Sequence, residues 1–391
     1  MSRVAVFGAS GFIGATFVER LLARRTFDVK PIIHTTGAAW RLSRHGIPLH
    51  TADVRESAEV RKALEGCTHV VNCALGSNDV MFKGLATLLA ESRAAGVRRF
   101  VHLSSIALFG EQKPDALLDD DAPANAVKGQ YSAVKLRQDE MVRAAAGGGL
   151  PAVVICPAHV FGAYSPFLSS CVAAARAGRL ALVDGGSLPA SYVDVSNLCQ
   201  ALEQALGCET ADGARIVVED GQDKTWFDVA RALAPLAECA PDFASIDRAD
   251  ARRIAELSQA RPSLRASTRA LVAHFRSPAI ADMVKGDPLL LNAAQATLRV
   301  LQGISPSATA RLLGRSPAAR AAEAPAAIAW DAWGARAQHY SVRFTGRRAR
   351  EVLGYVPERS FDQSMAAFSA WYRATHGLGG RDWPLLRQLL A

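Results

Sequence analysis

Gly8-Ala9-Ser10-Gly11-Phe12-Ile13-Gly14 follows the apolar run Val4-Ala5-Val6-Phe7 and leads into Phe12, Ala15, Thr16, Val18, Leu21 and Leu22, which recur at helical spacing. A short apolar strand, a glycine-rich turn and an amphipathic helix in that order open a βαβ unit. Small residues at the turn let the backbone approach a ligand closely. The free N–H groups and positive dipole end of the helix that follows suit a diphosphate. The turn is therefore expected to hold a dinucleotide.

Outward from this stretch the alternation repeats. Val29–Ile33, Pro48–Thr51, His69–Cys73, Arg99–Leu103 and Ala152–Cys156 read as strands, with a long helix over Met81–Ala95 between two of them. Nearly continuous apolar strands alternating with helices indicate a parallel sheet covered on both faces. The expected fold is α/β, a Rossmann-type doubly wound parallel sheet with a smaller C-terminal substrate-binding part. Ligands of such sheets bind at the carboxyl ends of the strands. Gly8–Gly14, His34, Asp53, Asn72–Leu75, Ser104-Ser105 and Pro157 all fall at those ends.

After about residue 160 the regularity breaks. Ser191–Val195 leads into a helix over Ser196–Leu206, and Arg215–Val218 reads as another strand. Four segments are expected: a dinucleotide-binding core over 1–160, mixed core and substrate-binding segments over 161–240, an Ala/Arg-rich helical insertion over 241–340 serving as lid or surface, and a C-terminal element of the substrate part over 341–391. Residues 316–327 are low in complexity and read as a connector.

With 391 residues, 50% of them hydrophobic and 21% charged, the chain has the composition of a globular protein with a sizeable core. No run of some 20 apolar residues is present, and the N-terminus enters its first strand without a signal-like segment, so a cytoplasmic location is expected. The formal charge of +8 is uneven. Residues 248–350 hold 17 Lys and Arg against 6 Asp and Glu, leaving about −3 on the remainder. This reads as a solvated arginine-coated appendage, or as a surface for anionic groups on a substrate or lipid headgroups. Leu264, Leu271, Val272 and Phe275, interleaved with Arg265, Arg269 and Arg276, give the membrane-surface reading an amphipathic stripe, to which Leu289–Leu291 adds. No recognition motif points to nucleic acid. Seven cysteines are scattered without CxxC pairs or His partners, so free thiols and no structural metal are expected.

The second informative stretch is Tyr131-Ser132-Ala133-Val134-Lys135, which places a phenol and an ammonium one turn apart on one helix face. A phenol with a pKa of about 10 is a poor base at neutral pH unless a fixed cation favours its anion. The glycine turn, Asp53, Asn72-Cys73-Ala74, Ser104-Ser105 and the Tyr-x-x-x-Lys together resemble the extended short-chain dehydrogenase/reductase family, the NAD-dependent epimerase/dehydratase group. Gly96–Val101, Pro157-x-x-Val160-Phe161-Gly162, Ser191–Val195, Ala349–Pro357 and the Ser360–Trp371 helix are similar to further elements of that family. The resemblance covers residues 1–235 and about 340–375.

The resemblance implies Tyr131 as general acid/base, Lys135 as the cation that lowers its pKa and bonds the nicotinamide ribose, and Ser105 as the hydroxyl on the reacting oxygen. Ser104 would support the strand end and the cofactor. Gly8, Ser10, Gly11, Phe12, Ile13, Gly14, Val54, Ala74, Leu75 and Pro157 would line the dinucleotide, and Asp53 would accept from the adenine amino group. Asp53 also reads as a helix N-cap. At the end of the second strand stands His34 rather than a carboxylate, with Arg41 and Arg44 downstream; no acid is there to repel a 2′-phosphate, which tilts the expectation from NAD slightly toward NADP.

Departures narrow the reaction. Ile106-Ala107 stands where dehydratases of the family carry an acidic pair, which disfavours a 4,6-dehydratase. Arg336 and Arg343 are the nearest candidates for the epimerases' nucleotide-diphosphate clamp. The expected function is hydride transfer at a carbinol or ketone carbon, on a nucleotide sugar (4-epimerase or keto-reductase) with an anionic substrate. The alternatives are reduction of a sterol-like, flavonoid-like or lipid-linked compound, and a non-catalytic NADP-binding regulatory or assembly protein. Dimerisation through Met81–Ala95 and Tyr131–Ala146 is the family's habit and is expected as a homodimer.

Overall fold

A computed structural model describes residues 2–110, 112, 116–126, 131–221, 223–251, 338 and 342–376. In chain order the strands are β1 Arg3–Phe7, β2 Asp28–Ile33, β3 His50–Thr51, β4 His69–Asn72, β5 Arg99–Leu103, β6 Leu117–Leu118, β7 Ala152–Pro157, β8 His159–Phe161, β9 Ala181–Val183, β10 Tyr192–Asp194, β11 Arg215–Val218, β12 Ala244–Ile246 and β13 Arg343–Phe344. The helices are α1 Phe12–Arg24, α2 Trp40–Ser43, α3 Ser57–Leu64, α4 Leu85–Ala94, α5 Tyr131–Gly147, α6 Pro166–Arg176, α7 Val195–Gly207, α8 Trp226–Ala237, α9 Arg347–Leu353 and α10 Phe361–His376.

Seven strands form one parallel sheet in the order β11-β7-β5-β4-β1-β2-β3. The order reverses between β1 and β4, the switch point at which such sheets bind ligands. Alternate residues of each strand enter opposite cores. Val4, Val6, Val101 and Ile155 pack against α1, α7 and α9, while Ala5, Phe7, Phe100 and Val154 pack against α3, α4 and α5. Each fully buried Phe among them contributes about 2 kcal/mol. The doubly wound fold expected from the alternation is therefore present. A third core joins β8 and β10 to α6, α8 and α10 through Phe161, Phe167, Tyr192, Trp226, Phe361 and Phe368.

Two glycines make the first turn possible. Gly8 has φ +75°, and a Cβ there would lie 2.7 Å from the backbone of Cys73 and Ala74, so β1 and β4 could not end side by side. A Cβ on Gly14 would sit 2.3 Å from the Gly8 carbonyl oxygen, which would push α1 off the turn.

One expected element differs. The helix after β4 opens with a π-helical turn over Val80–Gly84 before α4 begins at Leu85. Gly84 sits where a Cβ would lie 2.6 Å from the Val54 side chain, and the Met81 carbonyl accepts a hydrogen bond from Gln138, so packing and an outside donor both favour the widened turn.

Contacts divide the chain into one unit of residues 1–255 with 330–391 and a second of 256–329. The insertion expected to be helical over 241–340 opens instead with β12, which pairs with β9; its stripe from Leu264 to Arg276, Leu289–Leu291, the connector 316–327 and Arg336 lie outside the described residues. Among the described residues no helix is long and apolar enough to cross a membrane.

Candidate active site

The strand ends bring the expected residues to one edge of the sheet. α1 starts at Phe12 with Gly11 as its cap, no side chain capping the free N–H groups and no acid in the first turn. An anion is the partner such a helix end lacks. Around it stand Ser10, Ile13, His34 just after β2, Asp53-Val54 after β3, Ala74-Leu75 after β4, Ser104-Ser105 after β5 and Pro157 closing β7. The Ala74 amide donates to Asn72 Oδ1 at 3.0 Å, which fixes the bend beside Gly8. Backbone donors at a capless helix end and a turn that a Cβ would fill fit a dinucleotide.

The strand ends where the adenosine is expected are charged in a way the sequence did not disclose. Asp53 is not a helix N-cap: that position before α3 belongs to Glu56. Instead its carboxylate takes the Arg55 guanidinium at 2.6 and 3.0 Å, and this pair holds it well below the usual carboxylate range. His34 Nε2 lies 3.7 Å from the same carboxylate, with most of its side chain exposed. Arg41, expected near the ribose, is turned the other way. It is 5% exposed, pairs with Glu19 of α1 at 2.5 Å, donates to Thr16 Oγ1 and stacks 4.0 Å from the Tyr164 ring. Arg44 also meets Glu19, at 2.8 Å. The short helix α2 therefore faces α1, and His34 is the expected basic residue that stands open at the end of β2.

Tyr131 and Lys135 both lie in the first turns of α5. Tyr131 is 49% exposed as a residue, and its hydroxyl end lies beside the Ser105 side chain. Burial of that end pushes the phenol up to about 12, and the Ser105 contact pulls it back. Lys135 is buried, donates to the Leu103 carbonyl at 3.1 Å and lies 5.7 Å from the Tyr131 ring centre. Burial lowers its ammonium to about 8. In this geometry desolvation outweighs the ammonium in setting the phenol, contrary to the lowering expected from the Tyr–Lys pairing.

Ser105 Oγ also accepts from the Ala107 amide at 3.1 Å, so the residues after the serines form a turn with no carboxylate. Ser104 is buried with its hydroxyl against the Cys156 thiol. Burial pushes the Cys73 and Cys156 thiols up to about 12, so neither is a thiolate nucleophile at neutral pH. Arg343 sits in β13, beside β6.

Beside Tyr131 opens a cleft of about 400 Å³ lined by Leu75, Gly76, Asn78, Met81, Phe82, Ala133 and Val134. Met81, Phe82 and Val134 had no functional reading in the sequence. The signal for Val134 was its place on the helix between the two catalytic candidates.

The chain is similar to several known proteins. A ketoreductase from Stigmatella aurantiaca, named for 4-hydroxy-2-methyl-3-oxo-4-farnesyl-3,4-dihydroquinoline-1-oxide, is 27% identical over 292 residues, covering 71% of this chain and 84% of its own. Dihydroflavonol 4-reductase of Hordeum vulgare is 27% identical over 62% of this chain and 78% of its own. UDP-glucose 4-epimerase of Vibrio cholerae is 24% identical over 59% of this chain and 74% of its own. A solved structure of dTDP-glucose 4,6-dehydratase from Bacillus anthracis, in complex with NAD, shares the fold with a TM-score of 0.65 at 15% identity, covering 96% of this chain and 97% of that one. The model of the NAD dependent epimerase/dehydratase family matches residues 4–218. Because that match runs from the first strand of the central sheet to its edge strand β11, the chain belongs to the NAD-dependent epimerase/dehydratase family.

Proposed function

We propose that this enzyme reduces the carbonyl, or oxidises the corresponding carbinol, of an organic substrate that presents an apolar face. The observation that carries the reading is the Tyr131 ring at the wall of a cleft lined by Leu75, Met81, Phe82, Ala133 and Val134. A bound reduced nicotinamide would supply the hydride that the carbon gains in reduction, and a bound oxidised one would take up the hydride that it loses in oxidation. Tyr131 gives its hydroxyl proton to the carbonyl oxygen during reduction and takes it back during oxidation. Ser105, whose side chain lies beside that hydroxyl, donates its own proton to the same oxygen in a hydrogen bond. Lys135 stabilises the phenolate, and the Leu103 carbonyl fixes the lysine in place. Gly8, Ser10, Gly11, Phe12, Ile13 and Gly14 hold the diphosphate; Asp53 and Val54 face the adenine, with Ala74, Leu75, Ser104 and Pro157 nearer the nicotinamide. His34 would favour a 2′-phosphate, and thus NADP, now without help from Arg41 and Arg44.

The names of two relatives support an apolar substrate, since a farnesylated quinoline and a dihydroflavonol are both carbonyl compounds with large apolar faces. A second reading, 4-epimerisation or keto-reduction of a nucleotide sugar, uses the same groups and is favoured by the Vibrio cholerae relative. The test is turnover of a panel containing a dihydroflavonol, prenylated aromatic ketones, UDP-glucose and UDP-galactose, with NADPH or NADH and Tyr131→Phe as control. Ketone-dependent consumption of reduced cofactor, lost on the order of 10²–10⁴-fold in the control, is expected. Turnover of the UDP-sugars alone sinks the first reading in favour of the second.

A further inference from the structure

Behind Lys135 lies a run of polar side chains that the reaction does not use. Asn72, His102 and Gln138 are at most 3% exposed, each on a different element: β4, β5 and α5. Their hydrogen-bond directions are forced. The Ala74 amide can only donate, so the atom it meets at 3.0 Å is Asn72 Oδ1. The Asn72 amide nitrogen must then donate to His102 Nδ1 at 3.2 Å, which leaves that ring nitrogen without a proton. At the far end the Met81 carbonyl can only accept, so Gln138 turns Nε2 toward it at 2.8 Å. Two atoms remain without a partner, His102 Nε2 and Gln138 Oε1. With Nδ1 bare the first is a donor and the second an acceptor, and the Gln138 side chain acts on the His102 ring.

We propose that His102 and Gln138 are positioning residues of the active site. Neutral His102, held as its Nε2–H tautomer, passes a one-way chain from the Ala74 amide through Asn72 and Gln138 to the Met81 carbonyl. The chain ties three parts of the site to one register: the cofactor-side bend at Ala74, the π-helical turn whose Met81 lines the cleft, and the α5 turn that follows Lys135. Lys135 is stitched to the same strand, one residue beyond His102, through the Leu103 carbonyl. Burial and the nearby Lys135 ammonium both push the His102 ring well below its ordinary pKa, consistent with a neutral imidazole throughout the working range.

The first test needs no substrate. Nitrogen-15 NMR of labelled histidine, with His102 assigned from His102→Gln, should show the neutral Nε2–H tautomer unchanged from pH 6 to pH 8. An imidazolium at pH 6, or the Nδ1–H tautomer, overturns the chain. The second test reads Lys135 by mass spectrometry of its acetylation rate against pH. The midpoint should lie near 8 in the wild type, where Tyr131, Cys73, Cys156 and His102 are the titratable groups around it. Gln138→Leu and His102→Leu should move it upward by half a unit or more, as the loosened turn admits water. His102→Gln can accept from Asn72 and donate to Gln138, so it should restore the wild-type midpoint. Unchanged midpoints in both leucine variants refute positioning.

The kinetic arm rests on the proposed carbonyl chemistry. There kcat should fall on the order of 10–100-fold in the leucine variants with KM and NADPH affinity within threefold, and His102→Gln should keep it. If the wild type turns over no carbonyl compound, the functional reading fails, while the tautomer and the lysine midpoint still decide the chain.

Discussion

At Gly11 a single side chain decides whether the cradle works. Gly11→Asp would set a carboxylate at the capless start of α1, where a diphosphate is expected, and its Cβ would crowd the Gly8 carbonyl at 3.3 Å. NADPH and NADH affinity, followed by nicotinamide fluorescence, should fall at least a hundredfold. At the other end of the cofactor, His34→Asp and Arg41→Ala should separate cleanly. The first places an acid beside the ribose and should lower NADPH affinity about tenfold while sparing NADH. The second should leave the NADPH-to-NADH ratio unchanged and lower stability by about 1–2 kcal/mol, because Glu19 loses its bidentate partner and keeps Arg44. A changed ratio in Arg41→Ala would return that residue to the cofactor. Arg41 shows why sequence proximity misled: it follows the end of β2 closely, yet α2 turns it onto α1, and the Glu19 that takes it lies 22 residues earlier.

The C-terminal element is held to the sheet by a buried acid. Asp220, just past β11, accepts the Tyr355 hydroxyl at 2.5 Å, the Asp194 amide at 2.6 Å and Asn197 Nδ2 at 2.8 Å. Asn197 Oδ1 in turn accepts the amides of Glu358 and Arg359, and Gln200 donates to the Val356 carbonyl. Burial raises Asp220 to about 7 from an ordinary value near 4, so between those values the folded chain binds a proton that the unfolded chain has lost. Its contribution is fully present below pH 4 and disappears as pH rises through 7. Melting temperature should therefore show a decline from pH 5 to pH 8 that is reduced in Asp220→Asn, which should also be less stable at pH 5 because its amide nitrogen faces donors. Equal slopes in the two proteins would remove Asp220 as the cause. The elements themselves were largely legible: the turn, Tyr131 and Lys135 are local motifs, and β1, α1, β5 and β11 follow from short-range hydrophobic pattern. Their partners were not. That Arg215 of β11 meets Asp139 of α5 at 2.5 Å, or that Asn72 of β4 meets His102 of β5 at 3.2 Å, depends on which faces the sheet brings together, and no local spacing encodes it.

Across the molecule the proposed cofactor-holding residues fall within residues 1–160, and contacts set 256–329 apart as a separate unit. Replacing 256–329 by a short Gly/Ser linker should leave NADPH affinity within threefold of the full chain, measured by the same fluorescence titration. A tenfold loss would show that the basic segment takes part in binding. The latch at Asp220 also has a consequence for how the protein is made. Tyr355 lies 135 residues downstream of its acceptor. At about 5–20 residues per second, a ribosome needs roughly 7–30 s to deliver the hydroxyl after the carboxylate has emerged. Throughout that interval the nascent sheet carries an open seam along α7, a site for chaperone capture that closes only when Tyr355 arrives.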